Sequence, residues 1–325
     1  MKMFERARCA GLALIAVLAI GNGADGVTVL HEAFPDDPIA NGRATVDGDG
    51  SRFPFVAPGA LNGQYDTSLS TSKLLFSLGQ TVDETGDFSF STKFTINSAD
   101  FFAHPSAFAQ VAFGLVNSAT TGGDRAGGGA ADSFDIVTFD YFANITGFGG
   151  PSIGPSVVET DDGGGDFFSL INFGFGSETA LDDPGELPLP LDTMLTTTVQ
   201  YDSLTSVVTL SVDDGSGPLT INAVGEGAAV GGPDGDTSTV QLTLPAGTVF
   251  SVDSFAITLW EDTFGVFGEP FNEPSLVADV TFHEILVDVD GGTPPPPPPT
   301  GGVPEPASAV LVGMAMMCVI NRRRR

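Results

Sequence analysis

The chain has 325 residues with 41 Asp and Glu against 12 Lys and Arg, and 7 of those bases sit at the termini, at Lys2, Arg6, Arg8 and Arg322 to Arg325. Between residues 27 and 293 that leaves 5 bases against 38 acids, a net of −33. Such a surface repels phosphate backbones and anionic lipid, which excludes nucleic-acid binding by this region. The acid is not a mark of disorder, because 42% hydrophobic residues and 26 Phe supply ample apolar area for a core. The only cysteines, Cys9 and Cys318, lie in terminal apolar segments. Disulfide frameworks, Cys-ligated zinc, iron–sulfur clusters and thiol catalysis are therefore excluded from the middle. His31, His104 and His283 are scattered without metal-ligand spacing, and no nucleophile elbow supports a Ser-His-Asp triad.

In chain order, residues 1 to 26 read as a secretory signal helix: Lys2, Arg6 and Arg8 precede the apolar run Cys9 to Ile20, and small residues follow. From Val27 to Asp290 there is no helical periodicity, and short alternating segments are broken by Gly, Asp, Asn and Pro. Strands are expected at Val27 to Phe34, Leu74 to Leu78, Phe88 to Ile96, Phe108 to Val116, Phe134 to Tyr141 and Phe167 to Phe175. Thr196 to Tyr201 and Ser206 to Val212 read as a hairpin, followed by strands at Thr239 to Leu244, Phe250 to Trp260 and Leu276 to Val289. Phe88 to Ile96 alternates at period two over nine residues, the pattern of a half-buried antiparallel strand with its Phe face inward. About eleven strands without an internal repeat predict one all-β domain, 27–290, built as a two-sheet antiparallel sandwich. The Gly-rich stretches 122–129 and 225–235 read as long surface loops.

Residues 291–302 form a Gly/Pro-rich linker, whose six prolines, Pro294 to Pro299, predict a polyproline II rod of about 19 Å. Beyond it stand Val303-Pro304-Glu305-Pro306, the apolar stretch Ala307 to Ile320, and Arg322, Arg323, Arg324 and Arg325. Fourteen residues make about 21 Å of helix, short of the roughly 30 Å hydrocarbon core, but four terminal arginines can hold the cytoplasmic end of a transmembrane helix. This tripartite tail, residues 303–325, resembles the PEP-CTERM sorting signal. The resemblance implies that Pro304, Glu305 and Pro306 are recognised by an exosortase-type processing enzyme. It further implies transient membrane anchoring through the C-terminal helix, then release to the cell surface or extracellular matrix.

The order of Phe88 to Ile96, Ala112 to Val116, Ser133 to Phe142, the hairpin 194–212 and Ser254 to Asp262 resembles the concanavalin A-like lectin/glucanase jelly-roll sandwich, including its laminin-G-type members. The glucanase branch of that family carries an E-x-D-x-x-E strand. None is present here: Glu159-Thr160-Asp161 runs into Asp162 and three glycines, and Glu261 and Asp262, being adjacent, point to opposite faces. The expected function is an exported, non-catalytic matrix or adhesion component that binds polysaccharide; the alternatives are a glucanase-type glycoside hydrolase and a purely structural envelope protein. Strand ends that run into loops are the places for a site, which nominates Trp260, Glu261 and Asp262 together with Asp140, Tyr141 and Asn144 as the glycan-binding set; that reading requires both aromatics partly exposed, and the alternative makes Trp260 and Tyr141 structural. Acidic loops invite calcium, for which Asp161, Asp162 and Asp166 are the candidate ligands and Asp47-Gly48-Asp49 with Ser51 a further cluster.

Overall fold

The computed structural model describes residues 26–100, 109–121, 135–144, 152–158, 171–173, 175–177, 189–219, 221–224, 235–261 and 277–290. The signal helix up to residue 25, the linker, the sorting tail, the Gly-rich stretches 122–129 and 225–234, and Asp161, Asp162, Asp166 and Asp262 all lie outside the described residues. Among the described residues no helix is long and apolar enough to cross a membrane, and the one helical element is a 3-10 turn at Gly50–Arg52.

The rest is strand: β1 (Val27–Glu32), β2 (Thr45–Asp47), β3 (Phe55–Ala57), β4 (Ala60–Asp66), β5 (Ser72–Asp83), β6 (Phe88–Asp100), β7 (Ala109–Val116), β8 (Ile136–Asn144) and β9 (Ser152–Val158). There follow β10 (Ile171–Phe173), β11 (Phe175–Ser177), β12 (Met194–Asp202), β13 (Val207–Asp213), β14 (Ile221–Val224), β15 (Gly235–Thr237), β16 (Val240–Thr243), β17 (Ser251–Leu259) and β18 (Val277–Val289). They form two antiparallel sheets. Sheet A has eight strands in the order β16-β13-β12-β6-β18-β4-β3, with β1 also paired to β18; sheet B has ten in the order β15-β14-β11-β9-β8-β7-β17-β5-β2, with β10 also paired to β9. The expected all-β two-sheet sandwich is thus found. The expected hairpin is the β12–β13 pair, in register from Thr196↔Asp213 to Asp202↔Val207.

The sheets meet through their phenylalanines. Phe94 and Phe282 of sheet A interleave with Phe113 and Phe139 of sheet B: Phe113 stacks on Phe139 at 4.6 Å and meets Phe94 and Phe282 edge-on at 5.2 and 5.7 Å. Each such pair adds about 0.5–1.5 kcal/mol beyond its buried area. This is where the period-two Phe positions of β6 go, and it explains why Phe rather than Trp or Tyr dominates the aromatics. Tyr65 crosses between the sheets and donates its hydroxyl to the Ala112 carbonyl at 3.3 Å. Burial pushes its phenol well above the usual tyrosine range. Gly114, in the middle of β7, has φ 150°, and a Cβ there would fall 2.6 Å from the Val137 carbonyl oxygen, so only glycine fits.

The far end of the sandwich, where β4 turns into β5, is held by Arg52. Its buried guanidinium donates to the carbonyls of Gln64, Asp66 and Ser70 at 2.9 to 3.2 Å. Burial lowers its pKa from the ordinary arginine value, against the pull of Asp66, Tyr65 and Asp49. The next residue along this turn, Thr71, accepts the Glu261 backbone N–H on its hydroxyl at 2.9 Å, so the turn also fixes the end of β17.

Candidate functional site on the outer face of sheet B

Side chains alternate along a strand, and register partners share a face. In sheet B the odd positions of β7, β8 and β17, among them Phe113, Phe139, Tyr141, Phe255 and Ile257, enter the main core. The even positions point away from it. One row on that outer face runs Asp47, Lys73, Thr258, Ala112, Asp140, Gly154 across β2, β5, β17, β7, β8 and β9. The next runs Leu75, Ala256, Gly114, Thr138, Ser156.

From β17 to β9 this outer face is buried like the inner one, whereas at the β2–β5 edge Asp47 is exposed and Leu75 half-buried. Asp140 and Thr258 are both 0% exposed, and Lys73, Thr138, Ser156 and Ser254 are buried with them. The Thr138 hydroxyl donates to Asp140 Oδ2 at 3.2 Å. Lys73 Nζ lies 2.8 Å from Asp47 Oδ2 and donates to the Thr121 carbonyl at 2.5 Å. The hydroxyls of Thr258 and Ser156 meet no hydrogen-bond partner. A buried, unsatisfied hydroxyl costs about 1–3 kcal/mol, so each is a polar position that an enclosed hydrogen-bonding group would satisfy.

The residues nominated from sequence fall on both faces of sheet B. Trp260 is 3% exposed and packs with Ala112, Val116, Ile136, Val158 and Ala256 in a second apolar cluster on this outer face. Tyr141 is 1% exposed and belongs to the main core. The partly exposed aromatic pair that the glycan reading requires is therefore not formed, and both aromatics take the structural role that is its alternative: the two rings lie on opposite faces of one sheet, both covered. The cause is parity, since Tyr141 follows Asp140 and so points the other way, together with burial on both sides of β8 and β17. Asp140 and Trp260 do share the outer face. Glu261 is half-buried and Asn144 closes β8.

Sequence reasoning passed over Thr138, Ser156, Thr258 and Lys73. The signal was present, because Thr138 and Asp140 occupy alternate positions in an otherwise apolar strand, but assigning those positions to a common face with Thr258 needs the register across four strands. It also passed over Gly150-Pro151-Ser152-Ile153-Gly154, a G-x-S-x-G spelling. Ser152 opens β9 and pairs with Phe142, a strand position and not the strand-to-helix turn of a nucleophile elbow. The Asp47 cluster is internally committed: Asp47 pairs with Lys73, and Asp49 accepts the Ser51 N–H and hydroxyl at 2.9 and 2.7 Å, which holds its carboxyl below the usual range. Among the described residues no group of three or more His, Cys, Asp or Glu converges as a metal site.

No protein-family model matches this chain, and no curated protein is similar to it. Among solved structures, the chain is similar to the Lotus tetragonolobus seed lectin at 15% identity, covering 82% of this chain and 100% of the lectin, with a TM-score of 0.48. It is similar to the carbohydrate recognition domain of Emp47p at 10% identity, covering 82% and 99%, with a TM-score of 0.43. The Bauhinia forficata lectin, solved in complex with GalNAc, is 13% identical, covers 80% and 97%, and has a TM-score of 0.43.

Proposed function

We propose that this chain is an exported, surface-sorted β-sandwich that binds carbohydrate without catalysis, as a matrix or adhesion component. The observation that carries the binding reading is the pair of buried, unpartnered hydroxyls of Thr258 and Ser156 on the face that also holds Asp140 and Trp260. Hydroxyls and a carboxylate on a floor of small residues, Ala112, Gly114 and Ala256, suit a polyhydroxylated ligand better than an apolar one. A glycosidase needs two carboxyls about 5 to 9.5 Å apart. The two described carboxylates of the Asp47 to Asp140 row stand four strand spacings from each other, about 19 Å, which favours the binding reading over the hydrolase. Export and anchoring rest on the charged and apolar pattern of the two termini; calcium at Asp161, Asp162 and Asp166 is part of the same proposal.

The test is a glycan array probed with the exported chain and its Thr258→Val and Ser156→Ala variants. Thr258→Val replaces an unpartnered buried hydroxyl by a methyl of the same shape and Ser156→Ala removes one outright, so neither loses a hydrogen bond and stability stays near that of the parent. Loss of glycan binding at an unchanged melting temperature is the expected result. Full binding by both variants would remove this face as the site, and an empty array for the parent chain would leave the purely structural role.

A further inference from the structure

We infer that the sandwich is carried end-on at the membrane, with the end that bears Leu204 turned toward the bilayer and the end that bears Leu69 and Trp260 turned away. The inference rests on the anchoring part of the function proposed above. Its structural basis is the position of the chain's exits. β1 opens at Val27 and β18 closes at Val289, and these two residues are register partners, so both termini of the sandwich leave from one end. That end is tied together by the Asp290 N–H, which donates to the Asp87 carbonyl at 2.9 Å, and by the Ser203 N–H and hydroxyl, which donate to Asp87 Oδ1 at 2.7 and 2.5 Å. The hairpin tip that holds Leu204, 93% exposed, is therefore beside the exit.

The opposite end lies one β18 away. Its thirteen residues span about 43 Å to Val277, which pairs with Asp66 at the mouth of the turn carrying Leu69, and Thr71 of that turn holds Glu261 next to Trp260. All 35 residues that follow Asp290, including the apolar stretch and the arginines expected to reach the membrane, thus start from the Leu204 end. The charge at this end agrees with a stand-off. Asp83, Glu84, Asp87, Asp202, Asp288 and Asp290 have no Lys, Arg or His nitrogen within 4 Å among the described residues, so contact with anionic headgroups would be repulsive. The about 19 Å expected for six prolines exceeds the roughly 8 Å Debye length at physiological ionic strength, which cuts that repulsion to about a tenth.

The experiment uses the full chain with Cys9→Ser and Cys318→Ser, recovered from the membrane fraction into vesicles whose headgroups carry an acceptor dye. Donor dye is placed at Leu204→Cys or Leu69→Cys, with Ser70→Cys repeating the far-end position if Leu69→Cys folds poorly. Resonance transfer from position 204 is expected to exceed that from 69 or 70 several-fold, and to rise further when Pro294 to Pro299 are deleted. Equal transfer from both ends, or more from the far end, in a membrane-held chain overturns the orientation. A chain found wholly outside the vesicles overturns the anchoring reading itself, and the orientation with it.

Discussion

The two sheets present outer faces of opposite character. On sheet A the outward positions are half-exposed and polar: Ser211, Thr198 and Ser91 lie in one row, and Gln241, Thr209, Gln200 and Ser89 in another. Charge there is handled at the surface, with Lys93 and His31 both meeting Glu284 and Thr28 donating to Asp288 at 2.6 Å. On sheet B most outward positions are covered, Asp47 and Ser77 near the β2 edge excepted, and a carboxylate, an ammonium, several hydroxyls and the single Trp are buried together. One sheet shows the one-sided amphipathicity of an ordinary solvated antiparallel sheet. The other is largely buried on both faces, and placing polar groups in the second one carries a desolvation cost.

The largest expected effect separates these faces by truncation. Trp260→Ala should cost about 3–5 kcal/mol, read as a lowered denaturation midpoint, whereas Thr198→Ala on sheet A should stay within about 0.5 kcal/mol. Equal costs would erase the contrast. Calcium sharpens it next. A specific site would raise stability by about 2.7 kcal/mol at a hundredfold excess over Kd, whereas screening of the net −33 carried between residues 27 and 293 would act alike for calcium, magnesium and sodium at matched ionic strength. Equal melting shifts for the three cations would remove the specific site. Third, Gly114→Ala forces a Cβ to 2.6 Å from the Val137 carbonyl at a φ of 150°, and should cost at least about 1–3 kcal/mol in urea unfolding.

The smallest effect belongs to sheet A. Hydrogen bonds from Lys93 and then His31 hold the Glu284 carboxyl below its ordinary range. A carboxylate whose folded pKa is depressed contributes stability above its unfolded value, about 4.3, and loses it as pH falls through the folded value. Glu284→Gln should therefore flatten the acid limb of the stability curve, by at most about 1 kcal/mol for so exposed a group, and added salt should shrink the difference. An unchanged acid limb would mean that the pair contributes nothing.

Legibility from sequence divided along the same line. Where one face is solvated, alternation is explicit: Phe88 to Ile96 reads correctly as the first nine residues of β6, and the hairpin around Asp202 to Thr205 falls where its flanking Thr and Val alternation puts it. Where both faces are buried, polarity no longer reports exposure. The run Ser254 to Trp260 looks like a strand leading to an exposed aromatic, yet Trp260 is covered, and Tyr141 was grouped with it although its parity sends it to the other side. The short strands β2 and β3, β4 with Gly63 at its centre, and β9 with Pro155 in it, were missed because Gly, Pro and brevity weaken local strand signals and pairing with long neighbours supplies the difference. The cross-strand row of Lys73, Thr258 and Asp140 is a property of register, and register comes only with the fold.

Because Trp260 is the only tryptophan, its emission reports on the outer face of sheet B alone. The most direct measurement of the central claim is acrylamide quenching of that emission in the native chain, compared with the chain unfolded in guanidinium. A covered polar face predicts blue-shifted native emission with quenching far below that of the unfolded chain. Native emission at the wavelength of solvated tryptophan, quenched as readily as in the unfolded chain, would contradict it.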